Sequence, residues 1–380
     1  MRRLAGRCGG SFALPFALPF AILVTMLLAG LVACAAGPAA DLDQAVLATE
    51  RKLERLARRG LAGQVLIQHG EHTLLARGFG TLAPDNERPV TLDAVMPLAS
   101  LSKAFNASLI LSLAADGHLD LDEPIGRYLP QLSSAWSGIT ARQLMTHSSG
   151  LPAEIYNPTY AGHPRFEPID RAELLRRINQ FQPQHAPGEV FVYSNLGYSL
   201  LAALAEEILD QPWDRALQQR LLDPAGIEDI GLLIFIGQAD QIVAGRRGRS
   251  PGGHHLDQPR LADGLGWQVR GAGDLLARPA GMSAWWRQLR TADWLPEPWM
   301  SEFLLPQIDQ AGGSGYGYGL AFRDGRHGRV IGHTGGDLDF SIDWSWYEEA
   351  DLWLYVALAD SRWRADELSQ RIASRLLGFL

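Results

Sequence analysis

Three short stretches of this chain carry side chains whose types and spacing can do chemistry together. The first is Ser100-Leu101-Ser102-Lys103. Of the 34 Lys and Arg residues only two are lysines, Lys52 and Lys103, so a positive charge that merely has to be present is nearly always supplied by Arg. Arg keeps its proton in proteins, whereas a partly buried Lys can lose it and act as a base. If Ser100 opens a helix, Lys103 lies one turn on and on the same face. The free backbone N–H groups and dipole at that helix start favour negative charge. Ser100 Oγ can then attack a carbonyl while its own N–H helps to hold the oxyanion. An N-cap serine followed by a surface lysine is the plainer alternative.

The second stretch is Tyr193-Ser194-Asn195, at the entry to an apolar helix. A tyrosine beside a protonated lysine has a lowered phenol pKa and can serve first as general base and then as acid. Asn195 can hydrogen-bond both Lys103 and a substrate carbonyl. A buried Tyr with an Asn helix cap is the alternative. The third stretch is His333-Thr334-Gly335-Gly336 at the end of an expected strand. Its glycines allow a substrate to lie against the strand edge, and the Gly336 N–H is a candidate second oxyanion donor. A strand ending in a Gly-Gly turn is the alternative. His147 reads as a structural histidine, and His254-His255 as a solvated pair in a glycine-rich loop. No H-E-x-x-H pattern is present, and the one G-x-S-x-G string, Gly248 to Gly252, falls in a glycine-rich stretch without the strand-to-helix setting of a nucleophile elbow, so no metal, no cofactor and no α/β-hydrolase route is implied.

The elements that must position these groups change character along the chain. Asp41 to Arg59 has helical periodicity, and Gln64–Gln68 and Thr73–Thr81 read as two strands joined near His69-Gly70. Leu101 to Ala115 is a helix closed by Gly117. From about Leu119 to Arg260 the pattern is helical and loop-rich, with helices at Ala141–Thr146, Arg171–Asn179, Leu196–Ile208 and Trp213–Leu221. Gly237 to Pro259 lacks apolar periodicity and is expected to be a long exposed loop, a candidate cover for the site. Gly317–Arg323, Arg329–His333, Asp339–Trp346 and Leu352–Ala359 follow as a meander with turns at Asp324-Gly325, Gly335-Gly336 and Glu348–Asp351. Ala365 to Leu377 closes the chain with a helix. The Trp285-Trp286 and Trp344-x-Trp346 pairs are expected in the core, the latter on one strand face. The order predicts an α+β domain over 41–380: an antiparallel sheet flanked by helices, split between the N- and C-terminal segments, with an inserted all-helical region at about 119–260.

The N-terminus says where such a chain works. Arg2, Arg3 and Arg7 precede an uncharged run from Phe12 to Ala33, the layout of an export signal over residues 1–33. Pro15 and Pro19 interrupt it and argue against a transmembrane helix. Leu31-Val32-Ala33-Cys34 resembles a bacterial lipobox, which makes Cys34 a lipidation site and the first mature residue; ordinary cleavage within Ala35 to Ala40 is the alternative. The only other cysteine is Cys8, inside the signal, so the mature chain has no internal disulfide and must rely on a large core. Removing the signal takes three positive charges off a chain whose formal net charge is already −8. That balance argues against nucleic acid as a partner.

Taken in order, the three stretches resemble the serine β-lactamase-related family: class C β-lactamases, D-Ala-D-Ala carboxypeptidases and esterases of the same fold. Further matches are Leu144-Met145-Thr146-His147-Ser148-Ser149-Gly150-Leu151-Pro152, Pro187-Gly188-Glu189 and Gly315-Tyr316-Gly317-Tyr318-Gly319-Leu320. The resemblance runs from about residue 42 to 375. It implies that Ser100 is the nucleophile, Lys103 and Tyr193 the proton-transfer pair, and Asn195 a partner of substrate and Lys103. His333, Thr334, Gly335 and Gly336 become the third motif, lining the substrate. The family usually has K-T-G where this chain has His333-Thr334-Gly335. A histidine is mostly neutral at pH 7, which weakens the case for an anionic substrate there. By resemblance, Ala35 after Cys34 suits sorting to the periplasmic face of the outer membrane; a soluble periplasmic protein is the alternative. The expectation is an exported, lipid-anchored serine hydrolase acting through an acyl-enzyme on a small-molecule or peptide ester or amide. Its rivals are a D-Ala-D-Ala carboxypeptidase or β-lactamase, and a non-catalytic envelope binding protein.

Overall fold

A computed structural model describes residues 38–153, 167–232, 239–253, 266–337 and 339–380. The expected export signal, Cys8, Cys34 and His254-His255 lie outside the described residues. Helix α1 (Pro38–Ala57) leads into the hairpin β1 (Gly63–His69) and β2 (His72–Phe79). Helices α2 (Ser102–Ala115), α3 (Ala141–Met145), α4 (Arg171–Ile178), α5 (Asn195–Leu209), α6 (Trp213–Leu217), α7 (Pro279–Arg290) and α8 (Trp299–Phe303) follow. The chain then returns as six strands: β3 (Ile308–Gln310), β4 (Ser314–Tyr316), β5 (Ala321–Gly325), β6 (Gly328–Asp337), β7 (Phe340–Tyr347) and β8 (Leu352–Leu358). Helix α9 (Ala365–Leu376) ends it. Among the described residues no helix is long and apolar enough to cross a membrane.

One antiparallel sheet in the order β3-β4-β5-β6-β7-β8-β1-β2 organises the molecule. The split sheet expected from the sequence is joined by β1 and β8, paired from Gly63↔Leu358 to His69↔Leu352. Burial on both faces explains the unbroken apolar run of β8, because a strand alternates its side chains between faces. Leu352, Leu354, Val356 and Leu358 meet α1 and α9 through Leu53, Leu56, Leu368, Ile372 and Leu376. Trp353, Tyr355 and Ala357 face the larger core of α2, α5 and α7. There the tryptophans pack as expected: Trp285 lies 5.2 Å from Trp344, and Trp286 stacks on Trp353 at 5.3 Å.

Four expectations need correction. The C-terminal sheet segment has six strands rather than three or four, because β3 and β4 are three residues each and Gly315 leaves no alternating pattern. Gly317 to Leu320 is a tight turn, closed by the Gly317 N–H on the Leu320 carbonyl at 2.8 Å, and the strand begins only at Ala321. Gly335 and Gly336 are no turn: both are in β6, opposite Ile342 and Ser341. The 119–260 region is not purely helical, since Ile230–Gly231 pairs with Leu276–Ala277 and Arg246–Arg247 with Ser250–Pro251. Two-residue strands are too short to leave a period.

The described part of the expected exposed loop, residues 239–253, is also partly core. Ile242 and Val243 are buried, and backbone bonds tie the segment to Val95, Leu82 and Ala359. Arg246 is buried and donates to the Thr81 carbonyl. Residues 237–238 and 254–259 of that expected loop lie outside the described residues.

Asp343, opposite Thr334 on β7, is buried, with the Ser345 hydroxyl donating to it at 2.8 Å. Burial pushes its pKa from 3.8 up to about 6. The folded state therefore holds a proton that the unfolded chain gives up, and stability falls as pH rises from about 4 through 6. Asp343→Asn should remove that decline, making the variant more stable than wild type at pH 8 by about 1–3 kcal/mol relative to their difference at pH 4. Urea melts at the two pH values measure it.

Candidate active site

The turn carrying Ser100 is built before the helix begins. Met96–Pro97 pairs with Leu276–Ala277, and the Leu98 N–H donates to the Leu275 carbonyl at 2.8 Å. Ala99 then takes a left-handed backbone, φ +48°, which a residue with a Cβ adopts only at a cost. It starts a 3₁₀ turn, Ala99–Leu101, that runs directly into α2. The expected helix start thus holds, with Ser100 in the 3₁₀ turn ahead of it. Ser102 Oγ accepts the Leu275 N–H at 3.2 Å and fastens the turn from behind.

Lys103, one turn on, is fully buried. Its Nζ lies 3.3 Å from Ser100 Oγ, 2.6 Å from Asn195 Oδ1 and 2.7 Å from the Ala272 carbonyl. It also sits over the Tyr193 ring at 4.8 Å and the Tyr198 ring at 5.6 Å. A surface lysine beside an N-cap serine is excluded. A protonated Lys103 can donate to all three oxygens. A neutral one can keep two of those bonds and turn its lone pair to the Ser100 hydroxyl. The same cage therefore suits both protonation states.

Tyr193 and Asn195 arrive on the start of α5. The helix cap is Ser194, not Asn195: Ser194 Oγ accepts the Gly197 N–H at 3.0 Å and donates to the Pro152 carbonyl at 2.6 Å. That leaves the Asn195 amide for Lys103. The Tyr193 ring packs on the His147 imidazole at 4.3 Å.

β6 forms the opposite wall. Its pairing with β5 ends at Ala321↔Gly332, so the stretch from His333 onward runs past its neighbour along the Ser100 turn. Gly335 faces that turn, where an added Cβ would stand 2.7 Å from the Leu98 carbonyl. Its missing side chain is therefore explained by packing against the Ser100 turn. At Gly336 the same position is open, the nearest atom being the Phe340 carbonyl oxygen at 3.8 Å. Thr334 and Gly336 are exposed, and His333 is buried.

His333 Nδ1 contacts the Thr334 carbonyl at 2.6 Å and Nε2 the Tyr316 hydroxyl at 3.1 Å. Burial first, then the Lys103 charge, lowers its pKa to about 4, against the Thr334 carbonyl bond that favours the cation. The expected neutral histidine stands, and both its nitrogens are engaged inside the protein. Ser100, Lys103, Tyr193 and Asn195 are thus brought together, with His333 to Gly336 beside them. Sequence reasoning missed the Ala272 carbonyl, the left-handed Ala99 and the place of Tyr316 in the site, while the histidine expected to be structural, His147, is buried beneath Tyr193. Tyr316 stood in a quoted motif without a role; the carbonyl and the φ angle have no side-chain signal.

Set against known proteins, the chain is 26% identical over 239 residues to the D-alanyl-D-alanine-carboxypeptidase/endopeptidase AmpH of Escherichia coli K12, covering 62% of this chain and 59% of AmpH. It is 31% identical over 195 residues to Esterase EstB of Burkholderia gladioli, covering 47% of this chain and 49% of EstB. The matches thus span less than two thirds of either relative. The structure of a beta-lactamase/D-alanine carboxypeptidase from Yersinia pestis superposes with a TM-score of 0.72 at 19% identity, over 89% of this chain and 99% of that one. The likeness carries the fold. The family model described as beta-lactamase matches residues 48–376, so the α+β sheet, the buried lysine and the ordered motifs are those of a chain that belongs to the β-lactamase family.

Proposed function

We propose that this protein is an exported serine hydrolase that cleaves an ester or amide carbonyl through an acyl-enzyme. The observation that carries the reading is the buried Lys103 Nζ, 3.3 Å from Ser100 Oγ and held by Asn195 Oδ1 and the Ala272 carbonyl. Ser100 Oγ bonds to the carbonyl carbon as its one proton is taken up by Tyr193, with Lys103 beside it to relay that proton. The backbone N–H groups of Ser100 and Gly336 receive the oxyanion. The proton returns to the leaving alcohol or amine, and water then releases the acid and restores the hydroxyl.

His333 bears on the substrate class. With Nδ1 on the Thr334 carbonyl and Nε2 on Tyr316, it offers no cation where a terminal carboxylate would bind. We therefore favour a substrate that is uncharged at that point, esterase-like or amidase-like. The second reading, D-Ala-D-Ala carboxypeptidase or β-lactamase, is supported by the names borne by AmpH and the Yersinia pestis structure. A non-catalytic envelope binder is disfavoured, because binding alone has no use for a lysine caged against a serine. Export, and anchoring by lipid at Cys34 on the periplasmic face of the outer membrane, belong to the same proposal and rest on the signal-like N-terminus.

Intact-mass spectrometry after exposure to a p-nitrophenyl ester and to a fluorescent penicillin tests the reading. A Ser100-dependent adduct or turnover with the ester alone is expected, and Ser100→Ala should show neither. A penicillin adduct would move the assignment to the peptidase or β-lactamase reading, and no reaction with the ester or a fluorophosphonate would sink the hydrolase. Lys103→Arg keeps the charge but cannot give up its proton to become a base, so acylation should fall by at least about 100-fold; near-normal labelling would remove Lys103 from its role. For the anchor, membrane-extracted protein should carry a lipid mass that Cys34→Ala lacks.

A further inference from the structure

Resting on that reading of Tyr193 as a proton-transfer residue, a second set of contacts lies directly beneath it. His147 takes a left-handed backbone, φ +58°, and is almost wholly buried. It holds the chain on both sides of Tyr193: its carbonyl accepts the Val192 N–H at 2.8 Å, and its Nδ1 accepts the Ser194 N–H at 3.0 Å. Its Nε2 lies 3.1 Å from the Tyr316 hydroxyl, which lies 3.1 Å from His333 Nε2, while His333 Nδ1 meets the Thr334 carbonyl at 2.6 Å.

The backbone at each end fixes the direction of every bond. A backbone N–H can only donate, so His147 Nδ1 is bare and a neutral His147 carries its proton on Nε2. That proton goes to Tyr316. At the far end a carbonyl can only accept, so His333 is protonated on Nδ1 and its Nε2 is bare. The Tyr316 proton fills the gap between them. We propose that Ser194 N–H, His147, Tyr316, His333 and the Thr334 carbonyl form a one-directional hydrogen-bond chain that ties the Tyr193 segment to β6, with His147 as the positioning residue for Tyr193.

The surroundings agree with a chain of neutral rings. Phe191, Tyr193, Tyr198 and Tyr316 enclose the imidazole with ring centroids 4.3–5.6 Å away. The charged and titratable groups turned towards it are Lys103, His333 and the three tyrosines. Burial, then Lys103, holds His147 well below the usual histidine range. A proton on His147 Nδ1 would remove the acceptor of the Ser194 N–H next to Tyr193. One on His333 Nε2 would set two donors against each other at Tyr316.

Two measurements decide it. Two-bond ¹H–¹⁵N spectra of the full-length protein labelled at histidine report which ring nitrogen is protonated, independently of activity. Signals of an Nε2–H tautomer lost in His147→Asn, and of an Nδ1–H tautomer lost in His333→Asn, are expected at pH 7. The opposite tautomer or a cation at either position overturns the chain. In p-nitrophenyl ester turnover, His147→Ala should lower kcat about 100-fold with KM nearly unchanged. His147→Asn should recover most of it, because its Oδ1 takes the place of Nδ1 and Asn tolerates a positive φ. Tyr316→Phe, which keeps the ring but cuts both central links, should lower kcat at constant KM. Should His147→Ala fail to fold, Tyr316→Phe and the wild-type spectra still decide. Folded variants with wild-type kcat would overturn the positioning role. A wild-type protein inert to esters and fluorophosphonate would instead overturn the hydrolase reading, leaving the tautomers as a separate result.

Discussion

A lysine side chain with no exposed surface is the constraint around which the rest is arranged. Removing an ammonium from water is costly unless its protons are met by oxygens, and here the oxygens come from distant parts of the chain. Ser100 lies one turn away, Ala272 follows the segment from 266 onward, and Asn195 opens α5. None can be placed without the others. The packing of α2 against α5 is sealed by Asn106, which donates to the Tyr198 carbonyl and accepts the Trp213 indole N–H. Gly319, φ +76°, lets the turn before β5 lie against the Lys103 and Ala104 backbone, where a Cβ would stand 2.5 Å from an amide nitrogen. Burial first, and then the charge this lysine can carry, depresses both nearby histidines, so the aromatic floor of the site is neutral.

Much of this was legible in the sequence, and the limits have physical causes. The hairpin β1–β2, the helices from Ala141 to Leu209 and the strand β8 follow from periodicity, since each shows its burial in its own residues. The three site stretches could be read because serine, lysine, tyrosine and asparagine at those spacings are uncommon by chance. What stayed hidden depends on partners. β3 and β4 are strands only because β5 is beside them, and the 239–253 segment is held by backbone bonds that any sequence can make. Gly335 was open to reading as a substrate contact; only the nearby Leu98 carbonyl shows why a side chain is excluded there. His147 read as structural and Tyr316 had no role, because the contacts between them and with His333 leave no mark in spacing or composition.

The scarcity of lysine deserves the same scrutiny. Lys52, the other one, lies on α1 facing Arg371 and Arg375 of α9, with Arg55 on its own helix. Burial and then those charges lower its pKa. Rarity therefore singled out two positions, of which one lies beside Ser100 and the other on the far face of the sheet. The difference is the surrounding oxygen cage, which composition cannot express.

The pairing of β1 with β8 has a consequence for how the molecule comes into being. Gly63 must find Leu358, so the strand that completes the middle of the sheet leaves the ribosome long after β1. Until then the β1–β2 hairpin presents an open edge and bare apolar faces, a template for pairing with other chains. Closing so long a loop is also slow, because the entropy is lost before the contacts form. Synthesis from the N-terminus thus yields Ser100 and Lys103 well before the scaffold that holds them, and a chain cut short before residue 352 has both with the middle of the sheet missing.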